Sequence, residues 1–129
     1  MSSIRKYPLP WTTVFTASTT AAFLPATAWM QASEVDKLRV TWELRGRTGN
    51  LEVTAGYQTA DVENNPDSAT AIGSYVSSDG MTYPSSGFTS VSANTEGKQL
   101  VRFGWMCKNS TGTDDSLGRV AGVVEVVEC

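Results

Sequence analysis

Histidine is absent from the 129 residues of this chain. Without an imidazole, the chain cannot assemble a serine–histidine–aspartate or cysteine–histidine nucleophile system, nor the usual histidine-ligated zinc and iron sites. Lysine, tyrosine and pairs of carboxylates are the catalytic groups that remain. The sequence therefore argues against most hydrolase and metalloenzyme classes, and we predict a protein that is not an enzyme and uses no cofactor.

Cysteine, net charge and long apolar runs are also scarce. The two cysteines, Cys107 and Cys129, lack the paired spacing of a metal site. We favour a buried free thiol at Cys107 over a bridge to Cys129, which would require the C-terminus to lie against the strand that contains Cys107. The net charge of −3, with the cations scattered, argues against a nucleic-acid surface. The sequence contains no run of about 18 apolar residues, so no transmembrane helix is predicted. Serine and threonine, in contrast, supply 30 residues, which is typical of β-rich extracellular or virion surfaces.

Alternation of apolar and polar residues is the strongest pattern that is present. Every second residue is apolar from Leu38 to Leu44 and again from Leu51 to Tyr57, with a glycine-containing turn between the two segments. A period of two is that of a half-buried strand. We therefore predict a β-hairpin over Lys37–Gln58. A second hairpin is predicted from Gln99–Lys108 and Arg119–Val127, with the first of these strands central in its sheet.

Short strands separated by turn signals at intervals of about 8 to 12 residues predict a sandwich or jelly roll. We predict one domain over residues 1–129, an all-β antiparallel β-sandwich of jelly-roll type, with an extended N-terminal arm over residues 1–11. Prolines alternating with large apolar groups exclude a helix in this arm. The arm must cover its own core or reach a neighbouring subunit. The predicted interface residues are Tyr7, Pro8, Leu9, Pro10 and Trp11.

One loop offers a candidate metal site. Oxygen-bearing side chains at every second position can converge on Ca²⁺, and here they are Asp61, Glu63, Asn65 and Asp67. Pro66 stiffens this loop, and the glycine of a calcium-binding turn is missing. We therefore favour a solvated turn rich in Asn and Asp, and predict no bound metal.

Three further patterns have a functional and a structural explanation each. Glu43 and Glu52, facing each other across the first hairpin, would form a glycosidase pair, or be solvated and matched by nearby cations. Asn109-Ser110-Thr111 is a glycosylation sequon, a triplet that also arises by chance in a chain this rich in Ser and Thr. Four aromatic residues would form a sugar-stacking platform or pack against the sandwich: Trp29, Tyr57, Tyr75 and Tyr83.

Two segments resemble small virion proteins of tailed bacteriophages. Gly56-Tyr57-Gln58-Thr59-Ala60-Asp61 runs into a polar loop, as a Tyr-Gln-Thr-like strand end does in those proteins. Gly97-Lys98-Gln99-Leu100-Val101-Arg102-Phe103-Gly104-Trp105, closed by Lys108-Asn109, resembles their later Val-Arg-Phe-Gly strand. The resemblance implies a non-enzymatic β-sandwich that decorates the capsid or belongs to a neck, tail or fibre. The proline-rich arm and Cys129 depart from that pattern and leave the location on the virion open.

These observations together predict a virion structural protein. The more specific prediction is a capsid decoration or cement protein that binds adjoining subunits through its arm and one sandwich face. Its partners would be other virion proteins, either major capsid or neck and tail subunits, and the chain itself would form a homo-oligomer without nucleic acid or membrane. The alternative is a carbohydrate-binding module or an adhesin or fibre tip, which predicts a monomer with an exposed row of aromatic residues.

Overall fold

The computed structural model describes residues 4–84, 87–90, 97–112 and 115–127 of the chain. Within these ranges there are ten strands and one short 3-10 helix, Ala32–Glu34. The strands are β1 Ile4–Thr16, β2 Ala22–Pro25, β3 Met30–Gln31, β4 Lys37–Thr48, β5 Leu51–Ala60, β6 Thr70–Val76, β7 Gly80–Thr82, β8 Thr89–Ser90, β9 Leu100–Asn109 and β10 Ser116–Val127. No helix of this described part is long and apolar enough to cross a membrane.

The strands form two antiparallel sheets that face each other. The first sheet has the order β1-β10-β4-β7, with β8 also paired to β4; the second has the order β2-β9-β5-β6, with β3 also paired to β9. The pairs β1–β10, β2–β9, β4–β7 and β5–β6 are successive segments of one antiparallel ribbon, rolled so that it forms two sheets. This is the jelly-roll arrangement, and the predicted fold class is confirmed.

The core lies between the sheets, as expected for inner faces that interdigitate. Trp105 and Phe103 of β9 are fully buried, and the ring of Trp105 lies 5.4 Å from that of Trp42 on β4, tilted by 58°. Tilted aromatic pairs of this kind add to the free energy gained by burial alone. The other large side chains that are fully buried are aliphatic: Leu9, Val14, Val35, Leu38, Leu44, Leu51, Val53, Val101, Val120 and Val124.

β9 is a central strand, as its sequence predicts. It lies between β5 on one side and β2 and β3 on the other, and residues 103–107 are buried without a break. Cys107 within this run is a free buried thiol, and its burial raises the pKa of the thiol. Cys129 lies outside the described residues.

The two predicted hairpins are wrong, although their strands exist. β4 pairs with β10, β7 and β8 but not with β5, and β9 pairs with β5, β2 and β3 but not with β10. Each short connection instead carries the chain from one sheet to the other. Alternation reports only that one face of a strand is buried, and both a hairpin and such an arch satisfy it. The apolar faces of β4 and β5 therefore meet across the core rather than lying side by side.

The N-terminal segment is extended, and residues 4–11 form the first part of β1 at the edge of the first sheet. β1 pairs with β10 along its length, with a bulge between Leu9 and Thr12. One extra residue in a strand reverses which positions face inward. Leu9 and Val14, five positions apart, consequently both enter the core.

Candidate functional site

The predicted interface residues of the arm divide between core and surface. Leu9 is a core residue, and the ring of Tyr7 lies 6.2 Å from that of buried Phe103. Pro8, Pro10 and Trp11 are exposed, Trp11 to 52 %. The segment was expected either to cover its own core or to reach a neighbouring subunit, and the structure shows that it covers its own core. A contact of the exposed residues with a neighbouring subunit stays a prediction.

The loop proposed for calcium is organised by a lysine. The Nζ atom of Lys98 lies 3.0 Å from an oxygen of Asp67 and 3.6 Å from one of Asp61, and the hydroxyl of Thr59 donates to Asp67. The hydrogen bond from Lys98, with that from Thr59, lowers the pKa of Asp67, and Asp67 in turn raises the pKa of Lys98. Among the described residues no three His, Cys, Asp or Glu side chains converge as metal ligands. An ammonium group occupies the place between the carboxylates, so Glu63 and Asn65 complete no cation site.

The carboxylate pair expected for a glycosidase is not formed. Glu43 projects from the first sheet and pairs with Arg45, whereas Glu52 lies opposite Lys108 in the second sheet. Both residues alternate away from the core, so the sandwich separates them. The prediction that they face each other is wrong because it depended on the first hairpin.

The glycosylation sequon is a structural element. Asn109 is fully buried, and its side-chain amide donates to the hydroxyl of Ser116 at 2.6 Å. Its carbonyl oxygen accepts from the backbone N–H groups of Thr111 and Gly112, both at 2.9 Å. A buried amide with these bonds is not accessible to a glycosylating enzyme, so this sequon is not an acceptor in the folded chain.

The four candidate aromatic residues do not form an exposed row. Tyr57 belongs to the core, while Tyr75 lies under Lys108 and Trp29 under Arg102, with cation-to-ring distances of 4.3 and 4.2 Å. Of the four, only Tyr83 is mostly exposed, at 68 %, while Trp29 and Tyr75 are half-buried. The sugar-stacking platform of the carbohydrate-binding alternative is therefore not assembled from these residues.

A cleft of about 320 Å³ opens between the edges of the two sheets, with Val40, Trp42 and Ile72 among its lining. This volume is at the lower end of the range of ligand pockets. The ionisable groups among its described lining residues are Arg39 and the phenols of Tyr75 and Tyr83. The cleft thus lacks the carboxylates that a hydrolase without histidine would need.

The most distinctive surface is the outer face of the first sheet, meaning the side chains of β1, β10, β4 and β7 that point away from the core. Eight large apolar side chains are exposed among the described residues, and six of them lie on this face. The six are Ile4, Trp11, Phe15, Met81, Leu117 and Val123. Single exposed apolar residues are ordinary, whereas the concentration of six of the eight on one face points to an interaction surface.

Charges on this outer face are predominantly positive. Outward positions carry five cations, Lys6, Lys37, Arg39, Arg45 and Arg119, against two anions, Glu43 and Glu125. Arg39 bonds Glu125 through both Nε and Nη2, at 3.0 and 3.2 Å. This bond lowers the pKa of Glu125 and raises that of Arg39. The two anions are therefore already paired within the face, and the cationic excess faces solvent.

Two arginines lie directly opposite each other on the same face. Arg119 of β10 and Arg45 of β4 are cross-strand partners. Like charges at such positions destabilise a sheet. Arg119 also lies 5.7 Å from the ring of exposed Trp11, so a cation and a large apolar group adjoin here. Glu43 bonds Arg45 and offsets part of this repulsion within the face, and an anionic partner would offset the rest.

Sequence reasoning found part of this surface. Trp11 was expected to be at an interface, and the outward positions of β10 follow from its alternation. Phe15 was missed because the predicted arm ended at residue 11, whereas β1 continues to Thr16. In addition, only the strand order places Phe15 beside Leu117. The sequence did offer one signal for this surface, namely large apolar residues at strand positions where alternation predicts polar ones.

No family model and no curated protein matches the sequence. Solved structures do share the fold, and those of infectious bursal disease virus are among them. The structure of its Gt strain aligns at a TM-score of 0.64 and 12 % identity, over 96 % of this chain and 33 % of that chain. Its VP2 subviral particle aligns at 0.64 and 10 %, over 98 % and 32 %. T=1 particles derived from the virus align at 0.66 and 10 %, over 98 % and 31 %.

The chain thus spans about a third of the length of each of these neighbours. At 10 to 12 % identity the likeness shows the jelly-roll fold alone. The three structures belong to an animal virus and not to a tailed bacteriophage. The comparison therefore agrees with the predicted class of virion structural proteins at the level of fold, without favouring the phage families.

Proposed function

We propose that this chain is a non-enzymatic structural protein of a virus particle, and more specifically that it decorates or cements the particle's shell. The observation that carries the proposal is the concentration of six exposed large apolar side chains on the outer face of the first sheet. A fold shared with virus-particle structures supports it. The partners would be adjoining shell subunits, and the exposed arm residues Pro8, Pro10 and Trp11 would contribute to the contact.

The outer face is small, and its size suits a weak contact that is strengthened when several copies of the chain bind at once. Three paired strands of about 12 residues make a surface of roughly 40 Å by 14 Å. That falls short of the roughly 800 Å² that each partner contributes to a standard stable interface. A single contact of this kind would be weak, but several contacts made at once by symmetric copies gain from a high effective concentration. Such geometry suits a shell protein better than a one-to-one complex.

The test is incorporation into particles. Wild-type chain, Phe15→Asp and the control Thr70→Asp, which changes an exposed residue of β6 in the second sheet, would be produced during infection. Particles purified on a density gradient would then be probed with an antibody to the chain. We expect wild type and Thr70→Asp to band with particles, and Phe15→Asp to be reduced at least tenfold. Absence of the wild-type chain from particles, or equal incorporation of all three, would contradict the proposal.

A further inference from the structure

Charge is divided unevenly over this molecule. The whole chain contains ten cations and thirteen acidic residues, but the outer face of the first sheet holds five cations and two anions. The rest of the sequence is left with five cations and eleven acidic residues. A basic, apolar face on an otherwise acidic molecule is complementary to other copies of the same molecule, provided that an acidic surface with an apolar centre lies elsewhere.

Such a surface exists at the β5–β6 loop. Asp61, Val62 and Glu63, here called the acidic tip, place an apolar side chain between two carboxylates. Val62 is 53 % exposed, and the side chain of Asp61 is 65 % exposed. Val62 is one of the two large apolar residues that are exposed outside the outer face of the first sheet, among the described residues. The tip is therefore acidic around an apolar side chain, with Glu63 as its main charge because Asp61 already lies 3.6 Å from the Nζ atom of Lys98.

The acidic tip is also held in place before any contact forms. The backbone N–H of Asn65 donates to the carbonyl of Val62 at 3.1 Å, and that of Asp67 donates to Thr59 at 2.9 Å. Ala60 and Pro66 form a β-bridge across the base of the loop. A loop that is already ordered loses little conformational entropy on binding.

We infer that a second copy of this chain docks its acidic tip on the outer face of the first sheet, so that copies associate head to tail. The inference deepens the proposed function, on which its biological meaning rests. Because the two surfaces are different parts of the chain, the contact is heterologous and generates a ring or an open assembly. Because Glu43 already bonds Arg45, the carboxylates of the tip would pair chiefly with Arg119, while Val62 would meet Leu117 or Val123. Apolar residues among the cations favour this occupant over a nucleic-acid backbone.

Charge reversal on each surface tests the contact. Native mass would be measured by light scattering during size exclusion, at low salt, for the purified full chain. We expect wild type to self-associate, and Arg119→Glu and Glu63→Lys each to weaken association at least tenfold. An equimolar mixture of the two variants should regain association, because each contact between unlike variants is again between opposite charges. The double variant should regain it as well.

Matched controls reverse charge on the second sheet. Lys108→Glu and Glu52→Lys should associate like wild type. Folding is checked by urea unfolding, and Arg119→Glu should be no less stable than wild type, since it replaces a like-charge pair with Arg45 by an opposite pair. High salt should weaken the wild-type association, because charges are screened within about 3 Å at 1 M.

Three results would overturn the inference. One is a wild-type monomer at every concentration tested at low salt. Another is association that responds to Arg119→Glu but not to Glu63→Lys, which would indicate a self-complementary contact or bound nucleic acid. The third is failure of the mixture to regain association. In each case the incorporation test still decides the proposed function independently, and self-association without incorporation would refute that function alone.

Discussion

Replacing Asn109 by alanine should destabilise the domain strongly, although the residue lies in a glycosylation sequon on what sequence alone presents as a surface loop. The side chain is fully buried where the connection from β4 to β5 meets that from β9 to β10. Its amide donates to Ser116, and its carbonyl oxygen accepts three hydrogen bonds from Thr111 and Gly112. Ser116 in turn accepts from the backbone N–H of Asn50. Asn109 therefore holds the two arches together.

The magnitude follows from these bonds. Four hydrogen bonds between neutral groups contribute about 1 kcal/mol each, and bonds within one network do not add fully. We expect Asn109→Ala to lower the free energy of unfolding by about 3 kcal/mol, equivalent to a fall in Tm of about 10 °C for a domain of this size. Urea unfolding followed by tryptophan fluorescence gives this difference directly, with an unchanged m-value if unfolding stays two-state.

A matched substitution controls for loop asparagines in general. Asn65→Ala removes an exposed asparagine side chain, and its effect should stay within about 0.5 kcal/mol. The alternative, in which Asn109 serves only as a glycan acceptor, predicts that both substitutions are harmless in unglycosylated protein. A loss below about 1 kcal/mol for Asn109→Ala would refute this structural role of Asn109.

Two other substitutions test the arches and the surface pair. Gly49→Ala should cost at least about 1 kcal/mol more than Gly46→Ala in urea unfolding: both have positive φ, but a Cβ at Gly49 would lie 2.7 Å from the carbonyl of Asp115, while Gly46 has open space. Equal costs would contradict this. Glu125, whose folded pKa is lowered, adds stability above its ordinary pKa of 4.5 that is lost as pH falls through the folded value. Glu125→Gln should make the free energy of unfolding depend less on pH below about pH 4.5. An unchanged pH dependence would show that the Arg39–Glu125 pair does not contribute to stability.

Periodicity predicted the strands well, because it has a direct physical cause. A strand with one face in the core must alternate, and Leu38–Leu44 does so in burial without exception, whereas residues 53–57 of β5 are buried on both faces. The burial of both faces of β9 could be predicted, because its second face also carries apolar residues. Fold class followed from the number and spacing of such segments.

Pairing was not predictable by the same means. The hydrogen-bond partners of a strand leave no trace in its own alternation, so a tight turn after β4 was compatible with a hairpin and with an arch. The bulge at Pro10 and Trp11 was likewise invisible, and it decides that Leu9 and Val14 share a face. Since the outer face of the first sheet is assembled from β1, β10 and β4, which are distant in sequence, the candidate site became visible only once the strand order was known.

The chemistry of β1 narrows how the domain can assemble. An edge strand normally exposes backbone groups to which another chain can add a strand. Pro8 and Pro10 each remove one N–H from this edge, and the bulge beside Pro10 bends the strand. Strand addition at β1 is thereby disfavoured, while the side chains of the same strand, Trp11 and Phe15 among them, remain exposed on the outer face. An edge closed to backbone pairing beside a face rich in apolar and cationic groups favours association through side chains. That is the mode on which both the shell role and the head-to-tail contact depend.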